Sequence, residues 1–136
     1  NTLKGRIAVY PVDMRQTRFE FMRPARQRLL QKVLSWLSRD AIPLFVSGGH
    51  NVLPFRMEQN GRTLIGVFCL SLDPYNNLEI TAAMPDKKVR GMEILHREDE
   101  WREFHDFTLD QGELRITYND TLDFRRPVVF AVHCTG

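Results

Sequence analysis

Between residues 24 and 39 the apolar positions recur at helical spacing. At 100° per residue, Ala25, Leu29, Leu30, Val33, Leu34, Trp36 and Leu37 fall in one half of the wheel. Gln27, Arg28, Gln31, Lys32, Ser35, Ser38 and Arg39 fill the other half. This spacing predicts an amphipathic helix over 24–39, with Pro24 in its first turn and Asp40 and Pro43 ending it. After residue 41 the period shortens to two. IPLFV, VLPFRME, RTLIGVFCLSL, LEITAAM, VRGMEILHR, WREFHDFTL, ELRITYN and PVVFAVH read as short strands, separated by SGGHN, DPYNN, MPDKK, REDE, DQG and NDTLDFRR. Seven or so antiparallel strands at this spacing predict a β-sandwich. A further strand is expected ahead of the helix, at GRIAVYPVD (5–13).

The sharpest local prediction is a hairpin. Asn60-Gly61 between two apolar runs calls for a type I′ turn, because both central residues need positive φ. A two-residue loop then fixes the register: Gln59 opposite Arg62, Met57 opposite Leu64, Phe55 opposite Gly66 and Leu53 opposite Phe68. One face carries Leu53, Phe55, Met57, Leu64, Phe68 and Leu70, and is expected to be core. The other carries Pro54, Arg56, Ile65, Val67 and Cys69, and is expected to be covered in part by the helix or by a partner domain. The fold class expected is therefore mainly β, an antiparallel sandwich with one amphipathic helix (24–39) packed against it. Residues 41–136 would form the sandwich, and residues 1–40 a bridge or the tail of a preceding domain.

Composition adds little beyond this, since 43% hydrophobic and 26% charged residues are ordinary for a globular chain. No apolar run approaches the ~20 residues of a membrane-spanning helix. The chain begins with Asn1, which suggests a piece of something longer. Charge is uneven: residues 1–40 hold nine Lys/Arg against three Asp/Glu, and residues 41–136 ten against fourteen. The basic residues follow the polar side of the helix and lack the interleaved aromatics of a nucleic-acid reader, so neither nucleic acid nor membrane is expected as a partner. Cys69 and Cys134 stand inside apolar strands as small buried hydrophobes; a bridge between neighbouring strands is the alternative.

Chemistry has few places to sit. In HREDEWREFHD, His96, Glu98, Asp99, Glu100, Glu103, His105 and Asp106 crowd one stretch, but their spacing fits no zinc pattern and strand alternation scatters them. SGGHN, with His50, lacks the frame of a phosphate loop and a nucleophile for its histidine. No catalytic residue, metal ligand or cofactor is assigned. Exposed aromatic rings could stack on sugars, and Trp101, Tyr75 and Tyr118 are the candidates, Trp101 and Tyr75 foremost (compare).

The order of pieces resembles a known family. A strand such as GRIAVYPVD, a helix such as RPARQRLLQKVLSWLS and then NGRTLIGVFCLSLDPYNNLEI resemble the C-terminal region of bacterial glycoside hydrolase and β-galactosidase-like proteins. In these a barrel and an amidotransferase-like domain precede a small antiparallel β-domain. The resemblance implies a non-catalytic accessory domain, with any catalytic acids upstream of Asn1 and the preceding domains, or a second copy, as partners. A carbohydrate-binding module is the runner-up, and a free-standing hydrolase around His96 and His105 the third reading.

Overall fold

The computed structural model describes residues 5–9, 24–39, 42–49, 51–85, 87–96 and 100–135. The chain divides into two compact units, residues 1–42 and 43–136. In the first unit the helix α1 runs over Pro24–Ser38. Its last turn carries no basic side chain of its own. Arg6 supplies one instead: its guanidinium donates to the Trp36 carbonyl and lies over the Trp36 ring, 5.3 Å from the centroid. A cation on the terminal carbonyls is the favourable partner for that end of a helix. Leu29, Leu34 and Trp36 are exposed on the side expected to be apolar. Residues 5–9 form no strand, and Ile7 and Val9 are exposed; the rest of the strand expected at 5–13 lies outside the described residues.

The second unit is two antiparallel sheets, so the chain is mainly β with a single helix among the described residues. β1 (Leu44–Ser47), β4 (Leu78–Ala83), β8 (Glu113–Tyr118) and β7 (Phe107–Asp110) make one sheet in the order β1-β4-β8-β7. The other runs β2-β3-β9-β5-β6, from β2 (Val52–Gln59) and β3 (Arg62–Cys69) through β9 (Val128–Thr135) and β5 (Lys88–Leu95) to β6 (Trp101–Glu103). Val46, Leu78, Ile80, Leu114 and Ile116 of the first sheet form one buried cluster with Ile65, Val67, Phe130, Val132 and Met92 of the second. Tyr118 belongs to this core, edge-on to Phe130 at 6.0 Å, so it is no surface aromatic. Burial, and then the neighbouring Asp120 charge, raise its phenol above the ordinary value.

The hairpin forms as its turn demands. Asn60 and Gly61 have φ of 51° and 75°, and all four expected pairs are present. Its two faces, however, are reversed relative to expectation. Ile65, Val67 and Cys69 point into the core, while Leu53, Met57, Phe68 and Leu70 are 52%, 48%, 40% and 64% exposed. The cover sought in the helix is supplied by the opposite sheet. Both faces of β3 are apolar, so alternation alone could not say which one the second sheet would take.

One other expectation needs correcting. WREFHDFTL is not one strand: β6 belongs to the five-stranded sheet and β7 to the four-stranded one, with Phe104–Asp106 carrying the chain across. Cys69 and Cys134 are both free. β3 and β9 run antiparallel with Val67 opposite Val128 and Arg62 opposite His133, which puts the two thiols at opposite ends of the ladder. Cys69 is buried as expected, Cys134 only half so.

Candidate functional site

The outward face of the five-stranded sheet brings together two features, exposed apolar side chains and a polar cleft. It has an apolar part on β2–β3 and a polar part on β9–β5–β6.

The apolar part begins at the sheet edge. β2 has a free edge, which is why Pro54, with no N–H to give, is tolerated inside it. Phe55 lies across Gly66, where a Cβ would come within 2.0 Å of its ring, and sits 5.4 Å from Phe68 between centroids. Leu53 and Met57 flank Phe55 along the strand. A long edge strand with an apolar outer face is a surface that folded chains usually keep covered.

The polar part is a cleft of about 310 Å³ lined by Arg90, Gly91, Met92, Glu93, Glu103, Phe104, His105, Phe107 and His133. Its construction follows from the ladder. Pairing of β5 with β9 shifts register between Val89 and Gly91, a bulge that leaves Arg90 without a partner at the rim. Gly91 then faces His133, and a Cβ at Gly91 would meet nothing within 4 Å, so the floor is open. His133 Nε2 lies 2.7 Å from Glu93 Oε2, and Arg62 Nη1 approaches the same oxygen at 3.9 Å. Glu103 stands directly opposite Glu93 on β6 and is paired with His105 at 3.6 Å.

The sequence-level candidates are distributed over this face unevenly. Trp101 opens β6 opposite Leu95, half-buried, and lines a second depression of about 320 Å³ with Gln59, Asn60, Arg62 and Leu64. Tyr75 is elsewhere. It bridges Leu122 through paired backbone hydrogen bonds of 2.9 and 2.8 Å and packs by Gly49 and Val52. Val52 and Gln59 are the two ends of β2, about 20 Å apart at the usual strand rise. The two rings therefore do not converge. His96 and His105 are likewise separated, at opposite ends of the β5–β6 ladder, with the His96 N–H donating to the Glu100 carbonyl at 2.7 Å. His105 instead pairs with Glu103 and lines one cleft with Glu93 and His133, two residues that carried no sequence signal beyond being polar positions in apolar strands. Gly91 inside a strand was the available hint. His50, Glu98 and Asp99 lie outside the described residues. Among the described residues no three His, Cys, Asp or Glu side chains are placed to hold a metal ion.

No known family profile matches this sequence, and no curated protein sequence does. A solved structure does. The chain is similar in fold to part of alpha-L-fucosidase isoenzyme 2 from Paenibacillus thiaminolyticus, with a TM-score of 0.64 at 13% identity. The likeness covers 82% of this chain and 18% of that one. The matched share exceeds the β unit alone, so it reaches into residues 1–42. The chain thus has a fold found within a glycoside hydrolase, and spans less than a fifth of that protein's length.

Proposed function

We propose that this chain is a non-catalytic accessory part of a larger glycoside hydrolase-like protein, and that it packs against a neighbouring domain or a second copy through the outer face of β2–β3. One observation carries this reading: Leu53, Met57, Phe68 and Leu70 stand exposed on one face of an edge hairpin whose other face gives Ile65, Val67 and Cys69 to the core. Fully covering a large apolar side chain contributes about 1.5–3 kcal/mol. These four are already about half covered, so together they supply roughly 3–6 kcal/mol, near the lower end of the ~4–15 kcal/mol that association of separate molecules costs. The match to a small share of a fucosidase supports a setting of this kind.

The reading is tested in two assays on the purified chain. A panel of aryl glycosides should show no turnover; hydrolysis that disappears in His105→Ala would reverse the conclusion. In sedimentation, the chain should self-associate with rising concentration, and Leu53→Lys/Phe68→Lys should remain monomeric. A wild-type chain that stays monomeric and binds no apolar dye would remove the support for a docking face. The second reading, a carbohydrate-binding module, is favoured by the depression beside Trp101 and predicts that Trp101→Ala abolishes retention on polysaccharide columns.

A further inference from the structure

We infer that the cleft over Gly91 is a binding site for a neutral, polyhydroxylated ligand the size of one sugar ring. It is separate from the hairpin face and from the depression beside Trp101.

The first argument is shape. Inside a sheet, adjacent outward side chains normally close the surface between them. Here the bulge sets Arg90 aside and Gly91 supplies no side chain, so the floor is backbone with open space above it. At about 310 Å³ the cleft is at the small end of ligand pockets, which begin near ~300 Å³.

The second argument is charge. Glu93 and Glu103 are direct cross-strand partners, an arrangement that repulsion disfavours. Each has a histidine beside it, and Arg62 reaches Glu93. The walls therefore carry both signs, two carboxylates with Arg90 beside them and Arg62 near Glu93. A cation entering the cleft meets Arg90; an anion meets both carboxylates. A neutral ligand meets neither penalty. Each carboxylate has lone pairs beyond those its histidine uses, and Arg90 has five N–H donors. Vicinal hydroxyls, which donate and accept at once, can bridge the two carboxylates and receive from the guanidinium. Phe104 and Phe107 complete the lining with apolar surface suited to the C–H face of a ring.

The test is an amide NMR titration of the chain with methyl β-D-galactopyranoside, methyl α-D-glucopyranoside and methyl α-D-mannopyranoside. Glucuronate and glucosamine serve as charged controls. At least one neutral glycoside should give saturable shifts at millimolar concentration, centred on Gly91, Glu93, Glu103 and His133. Gly91→Leu fills the floor from a position where an added Cβ meets nothing within 4 Å, and should abolish the shifts while unfolding as the parent does. Glu103→Gln changes a largely exposed side chain, cannot unfold the sheet, and should weaken binding about three- to tenfold, the loss of one charge-assisted hydrogen bond partly replaced by water. The inference is overturned if no neutral glycoside gives saturable shifts, if the shifts survive both substitutions, or if a charged control binds more tightly.

Discussion

Glu58 shows how a surface carboxylate can tie a strand hairpin to the link that leads into β5. It accepts from Lys87 Nζ at 2.9 Å, from Thr63 Oγ1 at 2.9 Å and from Arg56 Nη2 at 3.1 Å, while Lys87 also donates to Thr63 Oγ1 at 3.1 Å. Thr63 is fully buried, so this network satisfies a polar side chain at the rim of the core. Desolvation pushes the Glu58 pKa up, but the hydrogen bonds from Lys87, Thr63 and Arg56 outweigh it and hold the group below its ordinary value of 4.5. A carboxylate with a depressed folded-state pKa binds fewer protons than the unfolded chain. Its stabilisation is complete above the unfolded value and fades as pH falls through the folded one. Urea midpoints measured at about pH 6 and about pH 3 should therefore differ less in Glu58→Gln than in the wild type. An equal acid loss in both would show that the network carries no linkage. None of these partners was legible in the sequence, because Lys87 and Glu58 are brought together only by the packing of one sheet's loop on the other's hairpin.

At the level of elements, the hairpin was legible because its turn chemistry is local. Asn60-Gly61 dictates both positive φ values and, through loop length, the whole register. Gln111-Gly112 repeats the device between β7 and β8, with φ of 46° and 79°. What local chemistry cannot encode is the side on which another sheet will lie, and β3, apolar on both faces, gives no contrast to read. The break between β6 and β7 and the bulge at Arg90 are invisible for the same reason: both are decided by which strand lies alongside. Gly66 marks the cross-strand packing that the outer face does contain. Gly66→Ala places a methyl within 2.0 Å of the Phe55 ring, which must swing off the strand and leave Phe68. A loss of about 1 kcal/mol is expected in urea unfolding, the small-to-large cost less the usual gain of replacing a strand glycine. Unchanged or raised stability would mean that Phe55 does not lie across Gly66.

On the scale of the whole molecule, the two sheets use up one face of the β2–β3 hairpin and leave the other to something else. The mainly β class and the single helix followed from hydrophobic period, which is summed over many residues and so survives local ambiguity. The cleft did not, since Glu93, Glu103 and His133 come from three strands of one sheet that are paired only in the folded chain, and His105 from the link that leaves it. The central claim is that Ile65 and Val67 are core while Leu53 and Phe68 are surface. Thermal unfolding of Ile65→Lys beside Leu53→Lys tests it most directly. Burying an unpaired charge at Ile65 should abolish cooperative unfolding, whereas Leu53→Lys should keep its midpoint within a few degrees, about 0.5 kcal/mol or less. The reverse order of damage would contradict the account and return the exposed face to the core.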